Sequence, residues 1–361
     1  MDALETRTLL WVAASGDPES KPPAWLRAAL GAEESSRLVA AAVREGLAGL
    51  LHHRLKACGR MAVLAPDARH RLESIYYRTL QTNLRLLSAF QEIAAQEVPF
   101  VLMQGAALLL HLYPDPGLRP LGDIDLWVLP RHRESLSAAL SRLGFEEDSL
   151  TPGNFHRGAI RVDVHAHLEW AQRIRARRFL FAKDAEEIYR RCRPRSHEGV
   201  PVLSLDFYDQ VTYLMVHAIK HNLERLIWLA DIQRLVAAWQ EPEWKAWRQR
   251  TRQFGQEGVA AALSYLRQEL FGMRTPAAAT AGLKLTALGR YLLRMRKKGP
   301  LPKWSSLELL SARNRVRQLE FAFESMFPRP EVLRQVFADR AGLRDWQLYS
   351  LRIRQLLGML G

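Results

Sequence analysis

The sequence predicts an α+β fold, in which a small mixed β-sheet is flanked by extensive helices. Apolar residues recur at helical spacing before residue 97 and after residue 170, whereas short β-type runs punctuated by glycine and proline lie between. Hydrophobic residues make up 48% and charged residues 25% of the 361, as in ordinary globular proteins. We therefore expect an N-terminal helical region over 1–97, an α/β core over 98–170 and a C-terminal helical region over 171–361.

The N-terminal region contains three amphipathic stretches, which start near Leu9, Leu38 and Leu72. Proline is favoured in the first turn of a helix, so the third helix is expected to begin at Pro66 or Asp67.

The core begins with a short β-type run, Val98 to Met103, followed by Gly105 and a helical run to Leu112. A proline-rich loop leads from there into the next strand. The predicted elements that follow are a strand over 123–129, a helix over 131–143, a short strand from 144 and a strand over 160–165.

Beyond residue 170 helical patterns return. The arginine-rich segment 171–195 is predicted to be mostly helical and residues 202–204 extended. The longest helical pattern runs from Leu205 to Trp239, with a predicted break near Asn222.

The charge balance indicates anionic partners, because 52 Lys and Arg against 38 Asp and Glu leave a formal net charge of +14. The two cysteines cannot build a disulfide framework or a Cys-x-x-Cys metal site. No signal peptide is apparent, and the longest apolar run, Val98 to Tyr113, is too short to span a bilayer. We therefore expect a cytoplasmic protein without integral membrane association.

Three aspartates are the candidate catalytic and metal-binding residues. Residues two apart in a strand share a face, so Asp123 and Asp125 place two carboxylates side by side, with Ile124 and Leu126 packing on the other face. Asp163 lies on a later predicted strand between two valines. Carboxylates that crowd together repel, and hard oxygen ligands suit Mg²⁺. An isolated Asp-x-Asp pair is commonly a solvated strand edge, but the order of strand, glycine turn, helix and acidic strands favours a metal site.

This order of motifs resembles the nucleotidyltransferases of the DNA polymerase β superfamily, and more closely the bacterial family described as uncharacterised nucleotidyltransferases. The matching segments are Gln104-Gly105-Ala106-Ala107-Leu108, Tyr113 to Pro120, Gly122 to Leu126, Val162 to His165, His217 to His221 and Leu226 to Asp231. The resemblance implies that Asp123, Asp125 and Asp163 hold two Mg²⁺ ions.

The same resemblance places phosphate near the turn of Gln104, Gly105 and Ala106. Backbone N–H groups at the start of the following helix suit an anion, and glycine allows close approach. The chain departs from the family pattern at two positions, since Gln104 stands where lysine is expected and Ala106 where many relatives have serine.

Further candidate phosphate-binding residues are Arg119, Lys220 and His221. Arg119, which ends the proline-rich loop, could equally pair with a nearby carboxylate. Lys220 belongs to a polar and aromatic stripe along the long helical pattern. Such a stripe is often a solvated or interdomain face, but the resemblance makes it a wall of the nucleotide site.

Three histidines are expected to line the cleft or to support the metal ligands: His165, His167 and His217. A different hypothesis treats Asp163, His165 and His167 as a zinc site of a hydrolase, because all three would share one face if the strand continued to residue 167.

The resemblance implies an enzyme that transfers a nucleoside monophosphate from an NTP to a hydroxyl or phosphate of a small molecule or peptide, releasing pyrophosphate. Because Gln104 and Ala106 replace the usual lysine and serine, a catalytically silent nucleotide- or polyanion-binding protein on the same scaffold is the alternative. Nucleic acid is a weakly supported partner, because the basic segments lack regular aromatic interleaving.

Overall fold

A computed structural model describes residues 2–14, 22–168, 185–197, 200–310, 315–337 and 342–358. In these ranges a seven-stranded mixed sheet is surrounded by α-helices, which confirms the predicted α+β class. The arginines at 173–178 lie outside the described residues.

The sheet has the strand order β3-β4-β5-β2-β1-β7-β6. Strand β2 pairs parallel with β5 and antiparallel with β1, and β1 pairs parallel with β7. The strands are β1 (Val101–Leu102), β2 (Ile124–Trp127), β3 (Glu146–Glu147), β4 (Asn154–Arg157), β5 (Ile160–His165), β6 (Arg193–His197) and β7 (Val200–Ser204).

The helices of the N-terminal half and of the core are α1 (Ala3–Ala14), α2 (Ala32–Arg44), α3 (Ala48–Ala57), α4 (Pro66–Ala94), α5 (Gln104–Leu112), α6 (Arg133–Arg142) and α7 (Ala185–Arg191). Those that follow the sheet are α8 (Phe207–Lys220), α9 (Leu226–Leu235), α10 (Glu241–Gln253), α11 (Glu257–Phe271), α12 (Ala277–Thr280), α13 (Ala287–Met295), α14 (Ser305–Leu309), α15 (Arg315–Met326), α16 (Pro330–Val336) and α17 (Asp345–Gly358).

The two faces of the central sheet pack into different cores. Ile124 and Leu126 belong to the core that also contains Phe90 of α4 and Leu136 of α6. Trp127, on the opposite face of β2, belongs to the larger core, which includes α8 and α9. Alternation along a strand forces this division, and it leaves Asp123 and Asp125 on the same side as Trp127, as the sequence predicts.

Several predicted boundaries are confirmed. Helix α4 has Pro66 in its first turn, where the missing N–H removes no helical hydrogen bond. The predicted break in the long helical pattern separates α8 from α9. There, Asn222 and Leu223 have φ values of 57° and 50°, a left-handed backbone that cannot continue a right-handed helix.

Two strands were missed by the sequence analysis. β4 is a short, polar segment that pairs antiparallel with β5. β6 begins inside the basic segment 171–195 that was predicted to be mostly helical, so that prediction was wrong for 193–195. It occupies an edge of the sheet, where charged residues and proline are common because one side of the strand forms no ladder. The conformation of β6 is therefore set by its pairing with β7 and not by the helical propensity of its residues.

The sheet thus extends past residue 170 through β6 and β7, while the division into three regions stays a prediction. No helix among the described residues combines the length and the apolar character needed to cross a membrane.

Candidate functional site

The acidic residues meet at the start of β2 and in the middle of β5. Asp125 and Asp163 are direct partners in the parallel register of these two strands. Asp123 precedes β2 by one residue, and all three line one cleft of about 540 Å³. Three aspartates that are up to forty positions apart in the sequence are thus brought together by strand pairing.

Crowding of these carboxylates changes the chemistry of Asp123. Burial and the nearby charges of Asp125 and Asp163 raise the pKa of Asp123 to about 7. Arg119 and Arg161 oppose the shift but do not cancel it. An anionic cluster of this kind is favourable only when a cation or protons neutralise it.

The chemistry of the donor set fits a divalent cation. Ligand atoms of Asp125, Asp163 and His165 all lie within 4.8 Å of one another. Carboxylate oxygens are the ligands that Mg²⁺ prefers, whereas an added imidazole also suits softer divalent ions. Asp123 is not part of this group, although its charge interacts with both aspartates.

Asp125 is held by two side chains. Its Oδ1 atom accepts hydrogen bonds from Nε2 of His165 and from Nε2 of Gln104, each at 2.9 Å. Gln104 also donates to the hydroxyl of Tyr213 on α8 at 3.2 Å. His165 therefore lies in hydrogen-bond contact with a proposed metal ligand.

The other two histidines occupy different places. β5 ends at His165, and His167 lies exposed beyond it. The condition on which the zinc hypothesis depended, a strand continuing to residue 167, is not met, and the histidine grouped with Asp163 is His165 alone. His217 lines the cleft from α8.

The first turn of α5 forms part of the cleft lining. Gln104 and Gly105 line it, whereas Ala106 is buried in the core beneath. Gln104 has a φ of 46°, an unusual left-handed value for a residue other than glycine. A Cβ atom at Gly105 would clash with Nη1 of Arg119, so glycine allows the proline-rich loop and α5 to approach each other.

Arg119 is fixed by a buried carboxylate. Its Nη2 donates to Oδ2 of Asp231 at 2.8 Å and its Nε donates to both oxygens at 3.1 Å. The hydroxyl of Tyr113 donates to Oδ1 of Asp231 at 2.5 Å. The structural pairing considered for Arg119 is therefore present, and Arg119 also lines the cleft.

The helical wall of the cleft, formed by α8, α9 and the connection between them, is basic and aromatic and also includes Glu224. Lys220 ends α8, His221 and Arg225 lie in the connection to α9, and Trp228 belongs to the first turn of α9. Burial and the neighbouring charge of Arg119 lower the pKa of Arg225. The wall therefore carries crowded positive charge, which an anionic ligand would relieve.

Sequence reasoning missed Arg225 and the role of Gln104 as a partner of Asp125. Arg225 lies in a turn whose direction depends on the left-handed residues Asn222 and Leu223 before it. No local sequence pattern predicts that direction. Asp231 was quoted as part of a motif, and its buried environment was indicated only by the apolar residues on either side.

Comparison with family models matches residues 31–272 to the family described as "Uncharacterised nucleotidyltransferase". The match includes the cleft, β1 to β7 and the helices α2 to α11. Comparisons with curated proteins and with solved structures give no match.

Proposed function

The chain belongs to the uncharacterised nucleotidyltransferase family, and from this premise we propose that it transfers a nucleoside monophosphate from an NTP to a hydroxyl or phosphate of a small molecule or peptide. Pyrophosphate is the second product. The observation that supports this most directly is the division of one cleft into crowded carboxylates on the sheet and crowded cations on α8 and the α8–α9 connection.

Mg²⁺ is the proposed cofactor. Asp123, Asp125 and Asp163 would hold it, with His165 against Asp125. When bound, two such ions supply charge neutralisation at the triphosphate and activation of the attacking oxygen.

The chain's own groups would position the triphosphate. Backbone N–H groups at the start of α5 suit a phosphate oxygen, because the first amides of a helix have no helical partner. Lys220 and Arg225 supply positive charge from the helical wall of the same cleft. Arg119 contributes charge while Asp231 holds its guanidinium in place.

The reaction forms a bond between the acceptor oxygen and the α-phosphorus and breaks the bond to the bridging oxygen of pyrophosphate. Asp163, partly exposed in the cleft, is the proposed acceptor of the proton that the attacking hydroxyl loses. Catalysis of this kind depends chiefly on positioning and charge.

The direct test measures Mg²⁺-dependent release of pyrophosphate from each of the four NTPs with a panel of hydroxyl and phosphate acceptors. We expect Asp125→Asn and Asp163→Asn each to reduce transfer at least 100-fold, on the order of the loss of one strong electrostatic contact to the reacting groups. Asp67→Asn is the matched control, because Asp67 is exposed on α4 and does not line the cleft. Wild-type turnover in both cleft variants would exclude the proposed site.

The alternative is a catalytically silent nucleotide- or polyanion-binding protein. The observation that favours it is the neutral amide of Gln104, which is engaged with Asp125 and Tyr213 at the position where lysine is expected. Tight NTP binding without label transfer to any acceptor would support this alternative.

A further inference from the structure

Three aromatic rings meet on the basic side of the cleft: those of His217, His221 and Trp228, which we call the ring wall. The centroids of His217 and His221 are 4.6 Å apart, and the indole centroid of Trp228 lies 5.3 Å from His217 and 5.7 Å from His221. All three rings line the same cleft as the carboxylates.

The backbone fixes this arrangement. Asn222 and Leu223 both adopt left-handed φ values, which are costly for such residues and persist only where surrounding contacts impose them. Leu223 is fully buried, and its N–H donates to the carbonyl of Ala218 at 2.7 Å. The turn therefore holds His221 at the end of α8 against Trp228 at the start of α9.

His217 carries the second observation. The residue is only 9% exposed, and its Nδ1 has no hydrogen-bond partner among the described residues. Burial and the nearby charge of Lys220 lower the pKa of His217 well below its usual value, so the ring stays neutral with one donor and one acceptor nitrogen. A buried polar atom without a partner is unfavourable. The neutral ring of His217, which lines the cleft, can exchange a hydrogen bond with the polar edge of a ligand there.

The ring wall and the neighbouring cationic side chains of the cleft suit different parts of a ligand. Lys220 and Arg225 suit phosphate, whereas aromatic faces suit a flat, uncharged ring with polar edges. A nucleobase joined to its phosphates has both features at the two ends of one molecule.

We propose that the ring wall is the subsite for the base of the nucleotide, with the base stacked on Trp228 and an edge hydrogen-bonded to His217. This inference rests on the proposed function, because it assigns one part of the NTP to one part of that cleft. It makes Trp228 and His217 determinants of nucleotide affinity.

The experiment compares the Kd of ATP, GTP, CTP and UTP with that of inorganic tripolyphosphate, with Mg²⁺ present and no acceptor. We expect Trp228→Leu, which keeps an apolar side chain but removes the indole face, to weaken the best NTP about tenfold. Its Kd for tripolyphosphate should not change. Lys220→Gln should weaken both ligands.

Trp346→Leu is the matched control, because Trp346 is 65% exposed on α17 and does not line the cleft. Unchanged NTP affinity in Trp228→Leu would overturn the subsite. His217→Phe, which keeps a ring but removes both nitrogens, should also weaken the NTP selectively. Equal loss of NTP and tripolyphosphate affinity in both variants would count against base recognition.

A measurement on the unmodified chain keeps the proposal testable if a variant fails to fold. Stacking on an indole shifts the base protons of a bound nucleotide upfield in NMR spectra, so we expect that shift on titration. Binding of NTP no tighter than tripolyphosphate, with no such shift, would refute the base subsite while leaving the proposed reaction intact. Failure of every NTP and of tripolyphosphate to bind would instead refute the proposed function.

Discussion

At the scale of single residues, Asp123 shows how neighbours set the chemistry of a side chain. Burial of its carboxyl and the charges of two neighbouring carboxylates together raise its pKa to about 7. An unfolded aspartate titrates near pH 4. Between these two values the folded chain therefore keeps a proton that the unfolded chain has lost.

This difference predicts the pH dependence of the apo protein. Because the unfolded state binds fewer protons, the free energy of unfolding should fall as the pH rises from about 4 to about 7. Asp123→Asn should remove the contribution of Asp123 to this decrease in the free energy of unfolding, which is on the order of a few kcal/mol. The same variant should abolish transfer. Thermal unfolding in EDTA at pH 5 and pH 8 provides the test. An identical pH dependence in variant and wild type would contradict the assignment.

Arg119 and Asp231 form the second residue-scale feature. Arg119 is 5% exposed and Asp231 is fully buried, so each charge depends on the other. Removal of one partner leaves an uncompensated charge in the interior.

We predict that Asp231→Asn lowers the free energy of unfolding by about 3–5 kcal/mol, measured by denaturant titration. The double variant Arg119→Met with Asp231→Leu should recover much of this loss, because neither buried charge remains. No recovery in the double variant would show that the hydrogen-bond geometry, including Tyr113, matters more than the charges.

At the scale of elements, the start of α5 connects the sheet to the cleft. The N–H of Met103, the residue before α5, donates to the carbonyl of Asp125 at 2.9 Å, and Gln104 holds the Asp125 carboxylate. Gly105 then faces Arg119. The start of α5 is thus in direct contact with both the acidic strand β2 and the proline-rich loop that carries Arg119.

Gly105→Ala is predicted to disturb this junction. The added methyl would displace the guanidinium of Arg119, which Asp231 holds in place, so NTP affinity should fall about tenfold or more, in line with the loss of a contact to a charged group. Gly258→Ala on α11 is the control, since its Cβ would meet no atom closer than 3.6 Å. Isothermal titration with a non-transferring NTP analogue would measure the effect, and equal affinity in both variants would contradict it.

At the scale of the whole molecule, Glu45 joins three distant parts of the chain. It follows α2, and its Oε2 accepts from the N–H of Leu226 at 2.9 Å and from Nη2 of Arg296. Glu45 and Arg296 are each 1% exposed. The N-terminal helices, the start of α9 beside the ring wall and the end of α13 therefore share one buried ion pair.

Glu45→Gln should lower the free energy of unfolding by about 3 kcal/mol, because Arg296 would lose its buried counter-charge. Glu33→Gln, at an exposed pair with Arg37, should have little effect. The midpoint of urea unfolding measures both. Equal urea midpoints for Glu45→Gln and Glu33→Gln would mean that the buried ion pair does not join these regions in solution.

Local patterns predicted much of the fold. Alternation in Ile160–His165, proline at the start of α4 and the acidic run at β2 led to the right elements, because each depends on neighbours in the sequence. β6 could not be predicted this way, since an arginine-rich segment becomes a strand only through its pairing with β7. The three aspartates were predicted from the sequence as candidates, and their roles stay predictions.

The sequence by itself determined the α+β class, the order of the motifs and the acidic character of the candidate site, because these follow from residue type and spacing. Only the tertiary structure decided that Asp125 lies opposite Asp163, that Gln104 binds Asp125, that Asp231 holds Arg119 and that Arg225 lines the same cleft as the carboxylates. These contacts join residues that are distant in the sequence, and they depend on strand register and on the direction of turns, which no local pattern specifies.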